Sequence, residues 1–308
     1  MNTSKLAVTL REVGLRDGLQ ILPRVVPTAH KLEWIRAAYD AGLRELEVGS
    51  FVPARLMPQL ADTAELVAFA KTLPGCKPSV LVPNLKGAER AIEVGAHAML
   101  LPLSASHAHS LANMKRTPDE VVQDLRRIVD LRDAKGSGCL VEVGLSTAFG
   151  CTIQGRVEPA EVLRLVRAAI DAGIDRIGLA DTVGYADPLQ VKTLFGQALD
   201  VAGDKLSCGH FHDTRGLGAA NVFAAWQAGV RRFDACTGGL GGCPHAPGAS
   251  GNVATEDVAY LFASMGVATG LDFDALMALR GRVAQWLDGE PLHGAIWRAG
   301  LPKTLKAA

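Results

Sequence analysis

The sequence predicts an α/β protein, a (β/α)8 TIM barrel with extra C-terminal helices. Three observations predict it. Eight strand-like runs, each followed by a helical run, fill the chain from its start. Alternation of this kind implies a parallel sheet, and eight units in about 250 residues imply a closed barrel. The segments AAYDAGLRELEV, AAIDAGIDRIGL and AAWQAGVRRFDA share one pattern: helix, Ala-Gly, a short polar step, strand. That is a repeated αβ unit. Finally, the open doubly wound sheet favours a glycine-rich phosphate loop after the first strand, and GLRDGLQ is not GxGxxG.

The elements follow in order. LAVTLREV (6–13) reads as a strand, and HKLEWIRAAYDAG (30–42) as a helix closed by Gly42. RELEVGSF (44–51) is the second strand, followed by a helix over 60–72. KPSVLVP (77–83) is strand-like, LKGAERAIEVG (85–95) helical, and HAMLLPLS (97–104) a strand. A long helix is expected over 118–135 and a strand over 139–147. Then come a helix over 159–173, a strand over 175–182, a helix over 188–203 and a strand over 205–213. The last pair is a helix over 217–229 and a strand over 231–239, with a further helix starting near Val253. The barrel is expected over about 6–267 and a helical extension over 268–308, together one catalytic domain without linker or low-complexity segment.

Composition narrows the function. Hydrophobic residues make up 48% and charged residues 21%, ordinary for a globular protein. The formal net charge is zero, so no basic surplus exists to neutralise a phosphate backbone, and no nucleic-acid partner is expected. No apolar run approaches the ~18 residues of a membrane span, and MNTSKLAVTLREVG lacks the features of a signal peptide. A soluble cytoplasmic protein with no membrane partner is expected. None of the six cysteines forms a CxxC pair. Apart from Cys243 they read as small buried apolar residues with free thiols.

In such a barrel the chemistry sits at the C-terminal ends of the strands. Those ends carry Glu12 with Arg16 and Asp17, then Glu47 and Ser50, then Glu142 with Ser146 and Thr147, then Asp181 and Thr182, then His210, His212 and Asp213. An apolar barrel core needs none of these charges, so a polar pocket is expected there. HFH is the sharpest element. Residues two apart on a strand point to the same face, so His210 and His212 both face the interior, close enough to share a cation. In isolation HxH suits a packed histidine beside a solvent-facing one; beside strand-end acids it points to metal. Two histidines alone suit zinc, copper or iron. A carboxylate and an amide oxygen, taken here as Asp17 and Asn252, make a harder site suited to Mg2+ or Mn2+.

Asn252 closes the segment GGLGGCPHAPGASGN (238–252), which holds six glycines. Gly gives up much backbone entropy on ordering, so such a segment is costly to hold still. Asn252 anchors its far end at the metal, leaving Cys243 to reach over the site as a mobile acid.

EVGLRDGLQ (12–20), LEVGSFV (46–52), PNLKG (83–87), ADTVG (180–184), GHFHDTRG (209–216) and GGLGGCPHAPGASGNVATED (238–257) together resemble the hydroxymethylglutaryl-CoA lyase family of metal-dependent TIM-barrel lyases, the DRE-TIM metallolyases. The last block is the most specific. The resemblance implies a carbon–carbon lyase that cleaves 3-hydroxy-3-methylglutaryl-CoA to acetyl-CoA and acetoacetate by a retro-Claisen step, as in leucine degradation and ketone-body formation. It implies metal ligation by Asp17, His210, His212 and Asn252. Asp17 or His210 would take the substrate hydroxyl proton, Arg16 would stabilise the enolate, and Cys243 would protonate it. Glu47 and Asp181 would support the site and the proton relay, and Glu12 would hold Arg16 by an ion pair. The implied partners are an acyl-CoA substrate and a second copy, as a homodimer.

The chain departs from the family pattern twice. It reads RDGLQIL where RDGLQNE is common, and GCPHA where GCPYA is common, placing His245 near the thiol. Both changes lie near the mouth, where they could alter which acyl group fits; His245 could also lower the thiol pKa. Citramalyl-CoA or a 3-hydroxy-3-alkylglutaryl-CoA is therefore an alternative substrate. An acetyl-CoA-dependent condensing enzyme of the isopropylmalate synthase type is a further reading, against which the short C-terminal extension and the cysteine loop argue. A non-enzymatic barrel predicts lost ligands, and all four are present. His107 and His109 could touch substrate or CoA or lie in a surface loop, and Lys115 and Arg116 could meet CoA phosphates. Lys31, Glu33 and Arg36, like Arg126, Arg127 and Arg132, read as solvated helix faces.

Overall fold

The computed structural model describes residues 7–242, 251–303 and 305. Eight parallel strands close into a barrel in chain order: β1 (Thr9–Glu12), β2 (Glu45–Ser50), β3 (Lys77–Leu81), β4 (Ala98–Ser104), β5 (Leu140–Ser146), β6 (Arg176–Asp181), β7 (Leu206–Phe211) and β8 (Arg232–Ala235), which pairs back onto β1. Each lies inside the run expected for it.

The expected helices are α1 (Thr28–Asp40), α2 (Thr63–Lys71), α3 (Leu85–Glu93), α5 (Pro118–Ala134), α6 (Pro159–Asp171), α7 (Pro188–Ala202), α8 (Gly218–Ala228) and α9 (Thr255–Ser264). Between β4 and α5 lies α4 (His107–Met114), which the sequence does not announce. It has only eight residues, too few for a periodic signal. Its start is fixed by the Ser106 hydroxyl, which accepts from the His109 N–H at 3.1 Å. Its end is Lys115, in the left-handed region at φ 57°. No described helix is long and apolar enough to cross a membrane.

The apolar core is the layer between barrel and helices, where Phe195 of α7 packs on Phe211 of β7 at 6.0 Å between ring centroids. α10 (Phe273–Trp286) adds to this layer: His30 and Trp286 stack at 5.4 Å, and Trp34 lies against the same indole. A short last helix, α11 (Ile296–Ala299), follows. Arg280 of α10 is buried and pairs with Glu256 of α9 at 3.0 Å, tying the chain's end to the segment that follows Asn252.

Two expectations are corrected. Lys31 is not part of a solvated face. It is fully buried and donates to Asp62 and to the Gln59 carbonyl, bridging α1 to the start of α2. Arg132 likewise reaches across to Asp175 at 2.6 Å. The second correction concerns the barrel interior, which is charged. Arg11, Arg176 and Arg232 meet Glu45, Glu142 and Asp234 there. Glu142 thus belongs to the floor of the barrel rather than to its C-terminal mouth. It is the third residue of β5 and pairs with Arg11 and with Arg176, the first residue of β6.

Candidate active site

β1 ends at Glu12, and the chain turns at once into a single π-helical turn over Gly14–Gly18. The N–H groups of Arg16, Asp17 and Gly18 converge on the Val13 carbonyl at 3.1, 2.8 and 3.4 Å. Such turns recur at functional sites because they re-aim side chains. Here Arg16 and Asp17 both come to line the barrel mouth. The glycine of EVGLRDG is required by close approach: a Cβ at Gly14 would lie 2.5 Å from Glu12 Oε1 and 2.6 Å from Trp34.

Asp17, His210 and His212 bring potential ligand atoms within 4.8 Å of one another. The two imidazoles are 5.2 Å apart between centroids, as the strand alternation requires. His212 lies just past β7 and bridges to Asn252, so the far stem of the glycine segment runs along the end of β7. Asn252 donates from Nδ2 to Asp17 Oδ2 at 2.6 Å and to the Leu240 carbonyl at 2.9 Å. Its Oδ1 is buried with no hydrogen-bond partner among the described residues, as is Nδ1 of His212. A buried acceptor left unsatisfied is costly, and an amide oxygen beside a carboxylate and two imidazoles suits a divalent cation. The residues present fit a metal.

The electrostatics agree. Burial works against ionised Asp17, but the charges of Arg16, His210 and His212 outweigh it and hold its pKa below the ordinary range. Burial, then the charge of His210, pushes His212 down to about 4. Burial would also lower His210, but the hydrogen bond and charge of Asp234 and the charge of Asp17 outweigh it and raise its pKa. Arg16 donates to Asp17 Oδ1 at 2.6 Å and to Glu47 Oε2 at 2.8 Å. Gln20 adds a second donor to Asp17 Oδ1 at 2.8 Å.

A cavity of about 580 Å³ extends from this group across the mouth and down the barrel. Its far wall carries His109 and Asn113 of α4 and Ser146 of β5, with Ser104 Oγ 2.7 Å from His109 Nδ1. Ile21, Met57 and Met114 are also in its lining.

A family model described as HMGL-like matches residues 7–283. The chain belongs to the HMGL-like family. It is 39% identical over 307 residues to the (R)-citramalyl-CoA lyase of Chloroflexus aurantiacus, covering 96% of this chain and 95% of that one. It is 37% identical to the hydroxymethylglutaryl-CoA lyase YngG of Bacillus subtilis, covering 92% and 94%. Among solved structures, an HMG-CoA lyase from A. baumannii in complex with coenzyme A and 3-methylmalate matches with a TM-score of 0.91 at 39% identity, covering all of both chains. The chain is thus a carbon–carbon lyase of this family on a (β/α)8 barrel.

Within this lyase the structure brings together Arg16, Asp17, Glu47, His210, His212 and Asn252. Cys243 and His245 lie outside the described residues. Glu12 does not pair with Arg16. Its carboxylate instead accepts from the Gly14 N–H, the Thr237 N–H and hydroxyl, and the Thr255 hydroxyl. The physical reason is parity. Arg11 faces the interior, so its neighbour Glu12 faces the outer layer. Asp181 is likewise outside the group around Asp17. Its two oxygens accept from the Tyr185 and Ala186 N–H groups at 2.8 and 3.1 Å, organising the turn after β6.

Of the departing residues in RDGLQIL, Ile21 lines the cavity, whereas Leu22 is buried in the core. His109 is buried and lines the cavity, whereas His107 is exposed. Arg116 also lines the cavity, while Lys115 is exposed and caps α4. Sequence reasoning missed Arg11, Gln20 and Asp234. Arg11 and Asp234 are charged residues inside short strands, and the sequence alone did not show that they face each other.

Proposed function

We propose that this lyase cleaves 3-hydroxy-3-methylglutaryl-CoA to acetyl-CoA and acetoacetate, using Mg2+ or Mn2+ held by Asp17, His210, His212 and Asn252. The carrying observation is the convergence of the first three ligands beside a buried amide oxygen that has no partner among the described residues. When bound, the cation supplies Lewis acidity toward the substrate's hydroxyl and carboxylate. Asp17 or His210 accepts the hydroxyl proton. The carbinol oxygen becomes a ketone as the adjacent C–C bond breaks, and the bonding pair moves to the thioester as an enolate. Arg16, held by Asp17 and Glu47, keeps further N–H donors and its full positive charge for that oxygen. Cys243 is assigned the proton returned to carbon; a thiol with an ordinary pKa near ~8.5 suits that role. Asp181 supports the reaction through the turn it holds. The homodimer and the cytoplasmic location rest on the family resemblance, and light scattering tests the first.

Citramalyl-CoA is the second reading, favoured by the 39% identity to a citramalyl-CoA lyase over nearly the whole of both chains. The two acyl groups differ by one methylene, and one methylene is worth only about 10–200-fold in discrimination. The deciding experiment is a coupled assay of acetyl-CoA release from each substrate by metal-loaded protein, with Cys243→Ala in parallel. Release that falls by orders of magnitude in the variant supports the reaction, and the ratio of kcat/KM values names the acyl group. No release from either substrate, in protein shown to hold its metal, rejects both.

A further inference from the structure

Three consecutive strands of the barrel carry a row of polar side chains on their inner face. His210 of β7 is the register partner of Asp234 of β8, and Asp234 is the register partner of Arg11 of β1. Register partners in adjacent strands place their side chains on the same face of the sheet, so these three must meet. Arg11 grips Asp234 with two parallel bonds, Nε to Oδ1 at 2.7 Å and Nη2 to Oδ2 at 2.9 Å. Its remaining terminal nitrogen donates to Glu142 at 2.8 Å. The guanidinium is therefore fixed on both sides, and it holds the Asp234 carboxylate in one plane. On the other side of that carboxylate, Oδ2 lies 3.1 Å from Nδ1 of His210.

We infer that Asp234, clamped by Arg11, is the positioning residue of the metal site. It fixes the His210 ring with its proton on Nδ1 and leaves the Nε2 lone pair for the cation, so that of the two candidate bases Asp17, not His210, takes the hydroxyl proton. This rests on the metal site proposed above. A carboxylate can only accept, so the nitrogen facing it must carry the proton. Ligating histidines gain orientation and basicity from such a partner. The two histidines differ in this respect, since Nδ1 of His212 has no hydrogen-bond partner among the described residues. One ligand is preset by the barrel wall, while the other depends on Asp17 and the strand end.

The rival account is that Asp234 only balances Arg11 in the charged floor. The two accounts differ in metal affinity and in tautomer. Mn2+ binding is measured by calorimetry without substrate, on wild-type protein and on Asp234→Asn, with folding checked by circular dichroism. The inference expects folded Asp234→Asn to bind Mn2+ about 10–100-fold more weakly. Unchanged affinity in the folded variant overturns it. Wild-type protein that binds no Mn2+ overturns the metal site itself, and the inference with it.

Removing the carboxylate leaves Arg11 short of a partner, and the variant could fail to fold. A second measurement therefore uses wild-type protein. Nitrogen-15 spectra of histidine-labelled, Mg2+-loaded protein are compared with His210→Gln to assign the His210 signals. A proton on Nδ1 with an unprotonated Nε2 supports the inference, and the opposite tautomer overturns it.

Discussion

Arg16 sits between two carboxylates, Asp17 at 2.6 Å and Glu47 at 2.8 Å, with its side chain almost fully buried. Burial opposes its charge, and the charges of Glu47 and Asp17 more than restore it. Such a cation is preorganised, so it needs no rearrangement when negative charge develops on a substrate oxygen. Arg16→Gln is expected to lower kcat by about 100–1,000-fold while KM changes little. Steady-state kinetics on the substrate selected by the assay above measure this, and an effect confined to KM would place Arg16 in substrate binding instead. The residues proposed to hold the metal stood out in the sequence because each is a residue type with little business at the end of a barrel strand unless it binds something, and the structure brings Asp17, His210 and His212 together. Glu12 and Asp181 look equally conspicuous in the sequence. Their side chains serve the backbone because the strand parity turns them away from the axis, and in a strand as short as β1, which has four residues, the parity is hard to read without the partner strands.

At the level of elements, the site depends on two backbone devices. The π-helical turn after β1 presents Arg16 and Asp17. The stem of the glycine segment presents Asn252. Gly251 is the tight point of that stem. Its φ is +90°, and a Cβ there would lie 2.4 Å from the Gly239 carbonyl oxygen and 2.7 Å from that of Gly241. Both obstacles are backbone and cannot swing aside. Gly251→Ala is expected to cost more than about 1 kcal/mol and to displace Asn252. Mn2+ affinity should fall by at least about tenfold while the far-ultraviolet signal of the barrel persists. Gly136→Ala is the control, because its φ of +59° carries the same conformational penalty with nothing within 4 Å. Equal metal affinity in the two variants would remove the stem from the account. The sequence marked this segment by its glycines but could not show which of them bears the constraint. It also concealed α4. Ser106 and Lys115 bound that helix well, yet one eight-residue helix of mixed polarity gives no period. That is why His109 was left between a surface role and a place in the cavity wall.

For the whole molecule, the barrel was legible because eight repeats of one αβ pattern leave few other closures, and its charged interior was not. Arg11, Glu45, Glu142, Arg232 and Asp234 are spread over four strands, and only closure of the sheet reveals that they face one another. That interior has a consequence for stability. Burial would raise the pKa of Glu142, but the charges of Arg11 and Arg232, the hydrogen bond from Arg232 and the charge of Arg176 bring it down to about 2. A carboxylate whose folded pKa is depressed stabilises the fold fully above its ordinary pKa of about 4.5 and loses that contribution as pH falls toward 2. The difference corresponds to an order of magnitude of about 3 kcal/mol. Urea unfolding of the wild-type protein should therefore show a falling midpoint between pH 5 and pH 3. Glu142→Gln should be less stable than wild type at pH 6, since it leaves buried arginines under-compensated. Its midpoint should then fall less steeply on acidification, because one of the groups that must be protonated is gone. Parallel curves for the two proteins would mean that the floor of the barrel is not where acid enters the fold. The expected convergence would show that the same arginine, Arg11, which grips Asp234 beside the proposed metal site, also sets the acid limit of the barrel through Glu142.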